Sequence, residues 1–305
     1  MVKKIDPKVK LLSQKERLEL LTGEMALLNK KHGKEIIAFG VNKKVDRLAF
    51  NSKQLNDITG GGLGKGRFNI IWGPKGTAKT TTAYEEVANI QKEGGIAYWV
   101  DLERSFDPIY ATKCGINVDT LMLGKYFNTA EDVMDSIIKF TKLKAVDIIV
   151  IDSIQGMSPT GEHETKKGKE KSLVDDTMAL LAKKLSQFLR MSASGVAESN
   201  CTILMIGQTR TEIGGHITFD KLSGGHAIEH WSSLTLRFTR GAKANSPAIS
   251  DKTGNRVKAN NEHAKTIGFE MVVRVDKTKM GPDEGKETRL DFIFGDGIRD
   301  KIAVS

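Results

Sequence analysis

From Gln14 to Lys31 the leucines Leu18, Leu20, Leu21, Leu27 and Leu28 recur at helical intervals among Lys and Glu, a pattern that predicts an amphipathic helix. A turn at His32 and Gly33 then leads into a short apolar run, EIIAF (35–39), which predicts a strand. Beyond Gly60, Gly61 and Gly62, strand-like and helix-like runs alternate. FNIIW is followed by TTTAYEEVANIQK, IAYWVD by DPIYATKC, and then come EDVMDSIIKFTKL, VDIIVID, LVDDTMALLAKKLSQFLRM and TILMIG. Fully apolar strands alternating with helices predict an α/β fold with a mostly parallel central sheet covered on both faces. From Leu234 the strands LTLRF, GFEMVVRV and ETRLDFIFG follow one another without helices, which predicts an antiparallel extension of that sheet. The polar stretch from Arg240 to Lys265 is expected as an exposed hairpin or loop, and Thr209 to Leu222 as a loop following the strand TILMIG and Gln208. There is no internal repeat.

Composition narrows the class. The 305 residues are 39% hydrophobic and 28% charged, which excludes a disordered or fibrous chain. No apolar run approaches the ~20 residues of a membrane span, and the charged start is not followed by the apolar stretch of a signal peptide, so a cytoplasmic protein is expected. Cys114 and Cys201 lie far apart with no metal-ligand spacing and read as buried thiols. His226 and His230 are four apart but have no third ligand at useful spacing, so they read as polar helix residues. The net charge of +9 is compatible with a polyanionic partner and equally with solubility alone.

The strongest chemical signal is FNIIWGPKGTAKTTTAYEEV: a strand, then Gly73, Pro74, Lys75, Gly76, Thr77, Ala78, Lys79 and Thr80, then a helix beginning around Thr81. Backbone N–H groups of such a loop cradle phosphate oxygens, the lysine reaches the β and γ phosphates, and the threonine hydroxyl ligates Mg²⁺. Ala78 replaces the glycine that the motif places before the lysine. It is expected to belong to the helix start rather than to take positive φ, where its Cβ would cost about 1 to 2 kcal/mol. Asp152 ends the apolar strand VDIIVID at the crevice edge, where it can hold Mg²⁺ or cap the next turn. Glu103 follows another strand end, where a carboxylate can take a proton from an attacking water or pair with Arg104 in solvent. Asp107 followed by Pro108 is a helix cap with proline at the first helical position.

Taken with ITGGGLGKGRF, IDSIQGMSP, MIGQTR, LSGGHAI and VDKTKMG, these motifs resemble the RecA family of DNA strand-exchange ATPases over roughly residues 14–300. The resemblance implies a RecA-like P-loop ATPase core at 46–305, preceded by a helix–strand polymerisation element at 1–45. It further implies ATP and Mg²⁺ as ligands, with Thr80 and Asp152 at the metal and Glu103 as catalytic base. By the same resemblance Asp107 and Tyr110 meet adenine, and Gln208 senses the γ phosphate. Lys277 and Lys279 reach across an interface to a neighbour's ATP.

For DNA, the resemblance points to Met178, Lys183, Ser186, Arg190, Arg210, Gly224 and Gly225. Lys183, Ser186 and Arg190 fall at i, i+3 and i+7 and so share one helix face, while Leu181, Leu185 and Phe188 point elsewhere. With Phe219 the only aromatic in the second loop, binding independent of sequence is expected. The implied partners are single-stranded DNA, homologous double-stranded DNA and further copies of the chain in a helical filament, with single-strand-binding and loader proteins beyond these. The sequence ends in GIRDKIAVS, which resembles compact phage-type members without a further C-terminal domain, and Gly207 stands where many members have Asn. A ring-forming helicase on the same core and a weakly catalytic mediator are the alternative readings.

Overall fold

The computed structural model describes residues 12–40, 44–160, 178–214, 217–222, 226–241, 248–250, 256–257, 266–281 and 283–300. The chain divides into two compact units, Met1–Lys44 and Val45–Ser305.

The first unit is built on α1 (Gln14–His32). The helix starts in a reciprocal cap between Ser13 and Glu16 and ends at Gly33 in the left-handed conformation. None of its residues is buried. At ~100° per residue its five leucines spread over roughly half the circumference rather than along one narrow stripe. The expected strand at 35–39 does not form. Instead Asn29 uses its side-chain amide as a strand partner would: its Oδ1 accepts from Ile36 N (2.8 Å) and Ile37 N (3.0 Å), and its Nδ2 donates to Ile37 O (2.8 Å). An apolar run without a second strand beside it cannot build a ladder.

The second unit opens with β1 (Arg47–Leu48), α2 (Lys53–Thr59) and β2 (Leu63–Gly64), β1 and β2 pairing antiparallel. Then follow β3 (Phe68–Gly73), α3 (Lys79–Lys92), β4 (Ala97–Asp101), α4 (Pro108–Lys113), β5 (Met122–Gly124), α5 (Ala130–Leu143), β6 (Ile148–Asp152), α6 (Met178–Ser199) and β7 (Thr202–Gly214). After these come β8 (Ile217–Leu222), α7 (His226–Trp231), β9 (Leu234–Arg240), β10 (Ala248–Ser250), β11 (Arg256–Val257), β12 (Thr266–Thr278), β13 (Glu287–Ile293) and β14 (Gly297–Asp300). The sheet runs β11-β10-β12-β9-β3-β7-β6-β4-β5, with β13 on β12 and β14 on β13. From β9 to β5 neighbouring strands are parallel, and β10 to β14 pair antiparallel, as expected.

Alternation along each parallel strand divides the core between the two faces. Ile71, Trp99, Ile148, Val150 and Leu204 join the cluster that includes α3, while Ile70, Val100, Ile149, Ile151 and Met205 join the one that includes α5 and α6. Cys201 is buried and Cys114 half-buried. Among the described residues no helix is long and apolar enough to cross a membrane, and no group of three His, Cys, Asp or Glu could hold a metal.

Two further expectations about local structure are corrected. β7 does not stop at Gly207 or Gln208: it continues to Gly214 and turns back as β8, so Thr209–Leu222 holds a hairpin rather than a loop. Ala78 takes φ 66°, ψ 18°, the left-handed conformation, and α3 begins only at Lys79. The tight turn into the helix requires that conformation whichever residue stands there.

Candidate nucleotide-binding site

The phosphate loop leaves β3 at Gly73, where a side chain is impossible because a Cβ would stand 1.9 Å from the carbonyl oxygen of Phe238 on neighbouring β9. Lys79 is buried, and its Nζ donates to the carbonyls of Gly73 (2.9 Å) and Pro74 (2.6 Å) at the loop's own start. Burial lowers this ammonium to about 8, opposed by the charges of Asp152 and Glu103. Ala78 makes no side-chain cap, so the first amides of α3 stay free of an internal acceptor and suited to an anion.

Thr80 Oγ1 donates to Asp152 Oδ2 at 3.1 Å, bringing the two expected metal ligands together from the first turn of α3 and the end of β6. Burial, then the charge of Glu103, pushes the Asp152 carboxyl up to about 7. A hydroxyl beside a desolvated carboxylate is an all-oxygen donor set, which fits Mg²⁺.

Glu103 lies just past β4. Its Oε1 accepts from Ser153 Oγ, on the residue after Asp152, and from Gln208 Nε2. Three strand ends, those of β4 and β6 and the end of the parallel stretch of β7, therefore converge on one carboxylate. Two residues that the sequence reading missed hold this arrangement. Asp101 accepts from Ser105 N (3.0 Å) and Phe106 N (3.1 Å), shaping the turn that carries Glu103. Gln155 exchanges two hydrogen bonds with the backbone of Gln208. A cavity of about 260 Å³ is lined by Lys79, Thr80, Glu103, Asp152 and Gln208 among others.

A second cavity of about 250 Å³ is lined by the phosphate loop together with Arg240, Phe269, Phe292 and Phe294. This aromatic wall was also missed. Its only sequence signal is the alternation of Phe292 and Phe294 before a glycine. Asp107 caps α4, accepting from Ile109 N (2.9 Å) and Tyr110 N (3.2 Å), and Tyr110 pairs its hydroxyl with Thr81 Oγ1 at 2.9 Å. Both are engaged locally, with Tyr110 touching the loop helix through Thr81.

Lys277 donates to the carbonyls of Glu229 and His230, and Lys279 to that of His230, at the carboxyl end of α7. Register sets Lys277 opposite Thr235, which is level with Ile70 in β3. That is three residues, or ~10 Å, back along the strand from Gly73. The two lysines thus sit toward the opposite end of the sheet from the chain's own phosphate loop.

On α6, Lys183 and Arg190 are exposed and Ser186 half-buried, while Leu185 and Phe188 are buried and Leu181 packs partly on the core. Arg210 lies on β7 opposite Lys221 of β8, and Met178 opens α6; the side chains of both lie outside the described residues, as do Gly224 and Gly225 entirely. Gly207 is packed under Leu222, whose terminal methyl a Cβ would meet at 2.3 Å, so a larger residue such as Asn requires the Leu222 side chain to shift.

A strand, a glycine-bearing loop and a helix on a parallel sheet, with Asp at the end of a nearby strand, define a P-loop α/β protein. The chain matches the RecA N-terminal domain over residues 19–299 and belongs to the RecA family. It is 33% identical to RecA of Nostoc sp. over 258 residues, covering 84% of this chain and 65% of that protein. Against RecA of Agrobacterium fabrum it is 30% identical over 291 residues, covering 93% and 73%. The crystal structure of the RadB recombinase superposes with a TM-score of 0.57 at 18% identity, covering 84% of this chain and all of that one, which shows the shared fold. The chain spans about two-thirds of the length of the curated relatives it matches.

Proposed function

We propose that this chain is an ATP-hydrolysing DNA recombinase that polymerises on single-stranded DNA in the cytoplasm and exchanges that strand with a homologous duplex. The observation that carries the reading is the shared carboxylate: Gln208 and Ser153 both donate to Glu103, beside the Thr80–Asp152 pair. The phosphate loop and Lys79 hold the β and γ phosphates, and Phe294, 54% exposed, offers a face to the base. Thr80 and Asp152 would hold Mg²⁺, which when bound neutralises phosphate charge. Glu103 accepts the proton of the attacking water. Gln208 responds to the terminal phosphate, and β7 carries that response into the β7–β8 hairpin at the DNA.

Lys277 and Lys279 act on a neighbour's nucleotide, a role supported by their distance from the chain's own loop. Residues 1–45 supply the packing between copies through the exposed leucines of α1. The α6 face of Lys183, Ser186 and Arg190 grips phosphates, with Met178, Arg210, Gly224 and Gly225 beside it. A weakly catalytic mediator is the second reading, favoured by the strained left-handed Ala78 in the phosphate loop.

Phosphate release with ATP and Mg²⁺, with and without single-stranded DNA, alongside electron micrographs of the same mixture, tests this. The expected result is DNA-stimulated hydrolysis and helical polymers, with binding that weakens steeply as salt rises. A chain that binds ATP yet stays monomeric on DNA and gains no hydrolysis from it would sink the recombinase reading and favour the mediator.

A further inference from the structure

β9 runs parallel to β3 and ends at Arg240, on the flank of the phosphate loop. Although Arg240 is exposed, its guanidinium has two fixed contacts. Nε donates to the carbonyl of Gly76 at 2.9 Å, and Cζ lies 4.1 Å from the ring centroid of buried Phe269 on β12. The stack fixes the plane of the guanidinium and the hydrogen bond fixes one edge.

This arrangement matters because of peptide geometry. In a trans peptide the C=O of one residue and the N–H of the next point in opposite directions. Holding the Gly76 carbonyl toward Arg240 therefore aims the Thr77 N–H the other way, away from the flank and toward the side a phosphate takes in such loops. Gly76, at φ 70°, has no side chain to resist a flip of that peptide. Thr77 Oγ1 donates to Pro74 O at 2.9 Å, which closes the turn but leaves the Gly76–Thr77 peptide to the Arg240 contact.

We propose that Arg240, seated on Phe269, is a positioning residue for the phosphate loop: it holds the Gly76–Thr77 peptide in its phosphate-binding orientation and so sets the affinity for nucleotide. The assignment rests on the reading of this site as an ATP site. It concerns binding rather than the hydrolytic step: the two cavities share Gly76, Lys79 and Thr80, but Arg240 lines only the one with the aromatic wall, and Glu103 and Gln208 only the other.

The test is a titration of the full chain with a fluorescent ADP analogue, together with ATP turnover and thermal unfolding without nucleotide, for wild type, Arg240→Ala and Arg240→Lys. Arg240→Ala is expected to weaken ADP binding and raise KM for ATP by about tenfold, the size of one lost charge-assisted hydrogen bond. Turnover at saturating ATP and nucleotide-free melting should stay unchanged. Arg240→Lys is expected to recover part of the affinity, since an ammonium can still donate to Gly76 but cannot stack as a plane. ADP affinity of Arg240→Ala within about twofold of wild type, or a nucleotide-free melting loss in parallel with the binding loss, would overturn the assignment. A wild-type chain that binds no nucleotide would instead overturn the ATP reading itself, and this assignment with it.

Discussion

The phosphate loop and the N-terminal helix are both announced by strong local sequence, yet they end in opposite conditions. Around the loop, Gly73 presses on β9, Lys79 is enclosed and Glu103 gathers donors from two neighbouring strand ends. Helix α1 has an equally good start and stop, but Leu20 is 61% and Leu27 62% exposed and nothing in the helix is buried. Local signals suffice to start and stop an element. Whether its apolar surface is covered depends on what lies opposite, and the described residues of the first unit do not by themselves supply it. Burying each such leucine is worth about 1.5–3 kcal/mol, enough to drive association.

The largest effect that would separate the two regions is expected from Glu103→Gln. Hydrolysis should fall by about a hundredfold or more, the usual contribution of a positioned base, while ADP affinity is retained. Phosphate release and nucleotide titration on the same preparation check this, and unchanged hydrolysis would remove Glu103 from the chemistry. The mirror experiment is the double change Leu20→Asp and Leu27→Asp. It should leave nucleotide affinity and melting as they are but shift ATP-dependent polymerisation to protein concentrations about a hundredfold higher, read by light scattering. If melting falls instead, the helix is already covered within one chain and the contrast drawn above is wrong.

Much of the loop region was legible because it is coded by short-range features. Strands of five or six apolar residues, a glycine-bearing turn and Lys-Thr at a helix start appear in order, and Asp152 ends an apolar run. What was not legible depends on partners remote in sequence. The run 35–39 has strand composition but no neighbouring strand among the described residues, and Asn29 takes its peptide groups instead. The hairpin at 209–222 needs β8 to return along β7, which polar residues there did not advertise. The wall of Arg240, Phe269 and Phe294 exists only because antiparallel register sets the end of β9 and the strands β12 and β13 side by side.

The helix behind the loop gives a smaller and pH-dependent effect that tests how self-contained that region is. Glu85 on α3 accepts from Ile298 N of β14 at 3.0 Å, and burial pushes its carboxyl from the ordinary 4.5 up to about 7, against that hydrogen bond and the charges of Arg299 and Lys92. The folded chain therefore holds this proton more tightly than the unfolded chain. Its contribution favours folding below about pH 4.5, is lost as pH rises toward 7, and stays lost above it. Glu85→Gln keeps an acceptor for Ile298 without the charge. Its stability advantage over wild type should be near zero at pH 4 and grow to at most about 3 kcal/mol at pH 8, by urea unfolding at each pH. An advantage that does not change with pH would mean that folding leaves the proton affinity of Glu85 unaltered.

The smallest expected effect is also the one that bears most directly on the loop. Ala78 sits at φ 66°, where a Cβ costs about 1–2 kcal/mol. Ala78→Gly removes that strain but returns about 0.5–1 kcal/mol of freedom to the unfolded chain, and it strips a methyl that packs on the core cluster. These terms nearly cancel, so unfolding free energy should rise by no more than about 1 kcal/mol. Nucleotide affinity should hold within about twofold, because neither residue caps α3 and its first amides remain available in both. A large gain in turnover from this one change would show that strain at Ala78 holds catalysis back, and would move the balance from recombinase toward the mediator reading for the natural chain.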